Sequence, residues 1–238
     1  MPRFTNTDGS TNPHGLRTVL RWKLGLHDER QPRSPARLDV PRVANDGAAL
    51  RGAPHPALTW IGHASYLVQL GGRSLLIDPI LSTRIATLPR NGPPGLRHED
   101  LPKIDVVCVT HDHRDHMDAP TLLRLGPAPV YVVPQGLGAW FRRAGMPKVV
   151  ELAWWETQEI EGLAITFVPS QHWSRRGLFD QNASLWGGYV IAREGVRVYH
   201  SGDTAWFDGF SEIGSRTGPI HAAMLPIGAY APRWFMRT

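Results

Sequence analysis

The segment Thr110-His111-Asp112-His113-Arg114-Asp115-His116 concentrates three histidines and two aspartates in its last six residues. Imidazole nitrogens and carboxylate oxygens at this density suit a borderline divalent cation such as zinc. Just upstream lies Ile104-Asp105-Val106-Val107-Cys108-Val109, a valine-rich apolar run of strand length. The histidines therefore fall on a loop at a strand end, where side chains can converge on one point. His172 follows the apolar run Ile165-Thr166-Phe167-Val168, and Asp203 follows Val196-Arg197-Val198-Tyr199. A further carboxylate, Asp78, ends Arg73-Ser74-Leu75-Leu76-Ile77. A hydrolytic metal site needs neutral imidazoles to hold the cation, carboxylates to lower its charge, and an open position. A solvated polar loop would explain the histidine cluster by itself. It would not explain why His172 and Asp203 arrive in matching contexts.

Those ligands need strands behind them, and the pattern supplies them. Leu58 to Gly62 and Ser65 to Leu70 read as strands, with Gly71-Gly72 as a hairpin turn. Arg73 to Asp78 returns as the next strand. Pro120 to Leu125 reads as a short helix with proline near its start, and Gly136 to Ala144 as another. Val130 to Val133, Lys148 to Leu152, Leu163 to Val168, Trp186 to Ile191, Val196 to Tyr199 and Ala222 to Pro226 read as strands; Pro89 to Pro102 reads as loop. Many strands with short helices between them predict an α/β domain with two packed sheets.

Residues 1–57 read as a separate N-terminal arm and residues 58–238 as the principal domain. Within the arm, Leu16, Val19, Leu20 and Leu24 share one face of a short basic helix that also carries Arg17, Arg21 and Lys23. Such a stripe either packs on the domain or lies on an anionic membrane surface. The proline-containing stretch 31–57 reads as linker.

The 238 residues carry a formal charge of +5, and the positive residues are almost all arginines, which favour phosphate and carboxylate partners. A genomic bias toward arginine would give the same composition. The single cysteine, Cys108, lies in an apolar strand and reads as core. The first residues lack the apolar core of a signal peptide, and no stretch approaches the length of a membrane span. The expectation is a cytoplasmic protein with peripheral contact at the inner membrane face, and without a specific nucleic-acid partner.

The ligand set resembles the metallo-β-lactamase superfamily: His-x-His-x-Asp-His, a later His, a later Asp, and an early Asp after a strand. Trp60-Ile61-Gly62-His63-Ala64-Ser65, Asp78-Pro79-Ile80, Gln171-His172-Trp173, Gly202-Asp203-Thr204 and the tract from Pro226 to Met236 are similar to the branch containing the N-acylphosphatidylethanolamine-hydrolysing phospholipase D. Arg3-Phe4-x-Asn6 and Arg21-Trp22 resemble bacterial members of that branch. The resemblance implies a four-layer αββα sandwich. It implies zinc, one or two ions: one held by His111, His113 and His172, a second held by Asp115 and His116, with Asp203 bridging. Asp78 and His63 would brace the ligands. Trp173, Arg175 and Tyr230 would face substrate, with Arg176 and Arg233 nearby. Superfamily members continue past the Arg-Trp-Phe-Met segment to a further histidine, so the expectation is a domain cut short at its C-terminus. His200 reads as core and His221 as surface. The implied activity is zinc-dependent phosphodiester hydrolysis, through a metal-activated hydroxide, of a small-molecule or phospholipid substrate, with Asp115 as the candidate to orient the water and carry its proton. The competing readings are a lactonase, nuclease or other hydrolase on the same fold, and an inactive metal-binding remnant.

Overall fold

The computed structural model describes residues 3–11, 16–26, 41, 43–45, 47–85, 88–90 and 92–228. Two helices, α1 (Leu16–Lys23) and α2 (Ala48–Arg51), precede the sheets. The strands β1 (Ala57–Gly62), β2 (Ser65–Leu70) and β3 (Arg73–Ile77) form an antiparallel meander. A two-residue hairpin, β4 (Arg84–Ile85) and β5 (Leu88–Pro89), follows, then a 3-10 turn at His98–Asp100. Three strands then add in parallel to β3: β6 (Val106–Cys108), β7 (Val130–Pro134) and β8 (Val149–Leu152). Helices α3 (Ala119–Leu125) and α4 (Gly138–Arg143) make the crossovers. The result is one six-stranded sheet, β1-β2-β3-β6-β7-β8.

The second sheet is built from β9 (Thr157–Ile160), β10 (Leu163–Val168), β11 (Gly188–Arg193), β12 (Val196–His200) and β13 (Ala222–Met224), in the order β13-β12-β11-β10-β9. It is antiparallel except for the β12–β13 pair. Helix α5 (Gly209–Thr217) connects β12 to β13.

Alternation along each strand assigns the layers. Val106 and Cys108 point between the sheets, where they meet Ile165, Phe167, Tyr189 and Ile191. Val107 and Val109 point the other way, into a core with Leu122 of α3 and Phe141 of α4. On the outer face of the second sheet, Val190 and Tyr199 pack with Ile213 of α5. The layers therefore run helix, sheet, sheet, helix, as the resemblance implies. Cys108 is fully buried, and burial pushes its thiol well above its ordinary pKa, so it is core.

The expected strands and crossover helices appear with ends shifted by a residue or two. The strand expected from Trp186 begins at Gly188, because Trp186 is held in the preceding loop by its indole N–H. The stretch 3–11, read as part of an arm, lies against the domain: Phe4 N–H donates to Asn182 O at 2.9 Å. Leu20 and Leu24 of the basic stripe are exposed.

Close approach of the sheet ends requires glycine at 188. A Cβ there would stand 2.4 Å from the His200 carbonyl oxygen and 2.9 Å from Ser201 Cα, both backbone atoms that cannot swing away. Gly188→Ala is expected to cost about 1–3 kcal/mol, seen as a lower denaturation midpoint at unchanged slope.

Candidate metal centre

β3 and β6 are parallel, so both end at one edge of the first sheet. β10 and β12 flank β11 antiparallel on either side, so they too run in one direction. Asp78, the His111–His116 loop, His172 and Asp203 all follow the C-terminal ends of these strands. The second-sheet loops are tied together. Gln171 and Ala205 form a bridge, Ala205 N–H donating to Gln171 O at 2.9 Å, and Gln171 N–H donates to Thr204 Oγ1 at 3.0 Å. Gly187 N–H donates to Thr110 O at 3.1 Å, which joins them to the first sheet.

The first donor group is His111, His113 and His172. His111 Nε2 lies 2.9 Å from His113 Nδ1, and His172 Nε2 lies 3.2 Å from the same atom. Donors around a tetrahedral zinc at about 2.0–2.1 Å stand roughly 3.3 Å apart, close to this spacing. Burial is the main cause holding all three histidines neutral. It lowers His111 well below its usual range, His113 to about 3 and His172 to about 4, and neighbouring imidazoles add to the effect. Neutral imidazoles with facing nitrogens are what a cation requires.

The second set brings together His116, Asp115, Asp203 and His63. His116 Nε2 is 3.2 Å from Asp203 Oδ2, and His63 Nε2 is 3.3 Å from Asp115 Oδ2. Asp203 Oδ2 also lies 4.0 Å from His172 Nε2, so this carboxylate stands between the two groups. Burial works to raise both Asp115 and Asp203. It is outweighed by His63, His116 and His113 at Asp115, and by His116, His172 and His111 at Asp203, so both stay below the ordinary carboxylate range. Burial works against protonation of His116, but Asp203 and Asp78 outweigh it and raise it well above its usual value.

A fit to a cation can be tested on the buried nitrogens. His113 Nε2 and His116 Nε2 are buried without a hydrogen-bond partner. For His116 Nε2 the orphaned atom lies inside the donor set, where a cation would satisfy it.

Asp78 sets the tautomers. It is fully buried; its Oδ1 accepts Thr110 N–H at 2.7 Å, and its Oδ2 accepts Thr110 Oγ1–H at 2.6 Å and His116 Nδ1–H at 2.7 Å. Thr110 Oγ1, its one proton already donated, must accept from His111 Nδ1, 2.9 Å away. His111 therefore carries its proton on Nδ1 and turns the Nε2 lone pair inward, and His116 would do the same once a cation displaces its Nε2 proton. Asp78 adopts a positive φ of 44°, a backbone strain of the kind that gathers at functional sites.

Three contributors were not foreseen from the residues. Asn6 Oδ1 accepts the His172 backbone N–H at 3.1 Å and Trp186 Nε1–H at 3.0 Å. Its only sequence signal is the Arg3-Phe4-x-Asn6 resemblance. Thr110 relays Asp78 to His111, and the apolar-to-polar break at the end of the β6 run marks it. Asp112 is buried, and burial lifts its pKa to about 6; it accepts Arg175 N–H at 2.7 Å and Ser184 Oγ–H at 3.2 Å. It thereby fastens the 173–185 loop to the histidine loop. Asn6→Ala leaves the His172 amide without its acceptor. The expected cost is about 1–3 kcal/mol, with weaker metal uptake measured by competitive titration.

Trp173 packs edge-on against His113, ring centroids 4.3 Å apart. The Arg175 guanidinium donates to the Gly177 and Leu178 carbonyls of its own loop, and Arg176 Nη1 donates to Asp112 O and Met117 O. Both arginines therefore brace loops. His200 Nε2 lies 2.9 Å from Ala64 O and its Nδ1 accepts Gly202 N–H, while His221 Nδ1 accepts Arg197 N–H. Neither joins the donor groups. Tyr230 and Arg233 lie outside the described residues.

The family model described as a β-lactamase superfamily domain matches residues 73–238, more than half of the chain. The chain belongs to the β-lactamase superfamily. This superfamily member is 41% identical over 198 residues to N-acyl-phosphatidylethanolamine-hydrolyzing phospholipase D 1 of Caenorhabditis elegans, covering 76% of this chain and 56% of that protein. It is 33% identical to a UPF0173 metal-dependent hydrolase of Methanopyrus kandleri, covering 72% of each. An uncharacterized protein of Mycobacterium tuberculosis is 33% identical, covering 92% of this chain and 60% of that one. The chain thus spans somewhat over half the length of the first curated relatives it matches. Among solved structures it is similar to Igni18, a metallo hydrolase of Ignicoccus hospitalis, with a TM-score of 0.59 at 26% identity, covering 73% of this chain and 71% of that one. It is also similar to a diiron β-hydroxylase of Streptomyces venezuelae, with a TM-score of 0.54 at 26% identity, covering 70% of this chain and 33% of that one. The superfamily fold is the αββα arrangement described above.

Proposed function

We propose that the protein is a metal-dependent hydrolase whose substrate is a phosphodiester, most specifically an N-acylphosphatidylethanolamine-type phospholipid. The observation that carries the hydrolase reading is the pair of donor groups joined at Asp203, on a chain whose relatives include metal-dependent hydrolases. The phospholipid is suggested by the 41% identity to a phospholipase of that name. In this reading His111, His113 and His172 hold one cation, Asp115 and His116 help hold a second, and Asp203 faces both. Bound cations lower the pKa of coordinated water from about 15.7 toward 7 and offset charge developing on the substrate. Asp115 would orient a water held at this site and carry its proton. Zinc is the proposed metal, because nitrogen and carboxylate donors suit it.

Exposed apolar side chains on the ligand-bearing loops support a lipid substrate. Phe179, on the loop after His172, is 90% exposed, and Trp206, just after Asp203, is 87% exposed. Such side chains suit acyl chains better than water. Trp173, packed beside His113, is proposed to line the substrate path. Peripheral contact with an anionic membrane is proposed through α1 and the turn after it, where Leu20 and Leu24 are exposed, as are Arg17 and Arg21. Among the described residues no helix is long and apolar enough to cross a membrane.

A substrate panel tests the reading. Release of phosphatidic acid from N-acylphosphatidylethanolamine, together with turnover of bis-p-nitrophenyl phosphate, is expected. Turnover of an acyl lactone without either phosphodiester would sink it in favour of a lactonase.

A further inference from the structure

We propose that His63 is a ligand of the second cation, through Nε2, rather than a brace for its neighbours. The proposal rests on the two-cation reading above and adds a donor from the β1–β2 turn. His63 Nε2, Asp115 and His116 each offer one donor atom, and these atoms lie within 4.8 Å of one another. The His63 ring meets the His116 ring edge-on, centroids 5.3 Å apart. A hydrogen bond from His63 to Asp115 would account for the 3.3 Å contact alone. It would leave His116 Nε2 buried, facing the Asp203 carboxylate at 3.2 Å but without a well-formed hydrogen bond. A cation at the point shared by the three residues satisfies every one of them.

The local backbone is shaped for this placement. The β1–β2 register shifts between Trp60 and Gly62, an irregularity of the kind that re-aims a side chain at a strand end. Gly62 has φ 122° and His63 φ 53°, a left-handed conformation disfavoured for a residue with a Cβ. The turn is pinned by Trp60 Nε1–H, which donates to His63 O at 2.8 Å. Strain held in this way gathers where a side chain must be aimed. The imidazole is about one-third exposed, at 35%, so it closes the donor set from the solvent side. His116, by contrast, approaches from the fully buried side.

Cobalt(II) titration of the apoprotein tests the proposal, read by bound-metal analysis and visible absorption. Two variants are compared with the unaltered protein. His63→Ala removes the side chain, and His63→Gln keeps a hydrogen-bond donor for Asp115 but removes the imidazole. The unaltered protein is expected to bind two equivalents. Both variants are expected to keep the first with unchanged affinity and to weaken the second by about a hundredfold or more. Circular dichroism melts confirm that the variants fold. If His63→Gln binds the second ion as the unaltered protein does, His63 is a brace and the proposal falls while the two-cation reading stands. If the unaltered protein binds fewer than two equivalents, the two-cation reading fails and the proposal with it.

Discussion

Replacing Asp78 with alanine is expected to lower stability by about 3–5 kcal/mol and metal affinity by about 10–100-fold. The stability loss follows from what the carboxylate holds. Thr110 N–H, Thr110 Oγ1–H and His116 Nδ1–H all point at it from within the core. Each donor left buried and unpaired costs roughly 1–3 kcal/mol. The affinity loss follows from the tautomers. Without Asp78, Thr110 Oγ1 is free to donate to His111 Nδ1, which moves the imidazole proton to Nε2, the atom that faces His113. Asp78→Asn should separate the two effects. It fills the same space, yet its amide nitrogen cannot accept the bonds that one carboxylate oxygen accepted, so metal affinity should fall more than stability. Denaturant melts and competitive metal titration measure both. A wild-type midpoint for Asp78→Ala would show that the buried carboxylate does not carry the edge of the sheet.

Metal removal is the second large effect. Dialysis against a chelator is expected to abolish hydrolysis, and zinc added back to restore it. At a free metal concentration of about 100 times the dissociation constant, binding to the folded state alone adds about 2.7 kcal/mol. For a chain of this size that corresponds to a rise of roughly 5–10 °C in melting temperature. The rise should vanish in His172→Ala, because His172 comes from the second sheet while His111 and His113 come from the first. Activity that persists at full rate in excess chelator would remove the metal from the reaction.

Much of the fold was readable because it follows hydrophobic alternation. In β2, Ser65–Leu70, every position but Tyr66 is buried, and the apolar run announces it. β9 was missed because Thr157, Gln158 and Glu159 are exposed on a sheet edge and only Ile160 is buried, so no apolar pattern exists to find. α5 was missed because Gly209 and Gly214 dilute its helical signal, and its stability comes from Ile213 packing on the second sheet. The donor residues were legible because metal ligands must be particular residue types, and several sit within one loop. Asn6 and Asp112 were not, since an amide or carboxylate that accepts backbone N–H bonds looks like any other until the fold brings its partner. His63 is intermediate: its motif was visible, but its distance from Asp115 was not.

Asn6 binds Trp186, 180 residues away, and the His172 amide, 166 residues away. Those are among the longest loops the chain closes, and such contacts are entropically the last to become favourable. During synthesis, the His111–His116 loop leaves the ribosome well before Trp186 exists. The nascent protein therefore carries a pair of histidines with metal affinity but without the third. A newborn chain is expected to hold a cation weakly and exchange it freely, and to trap it only when its N-terminal segment closes over the finished second sheet.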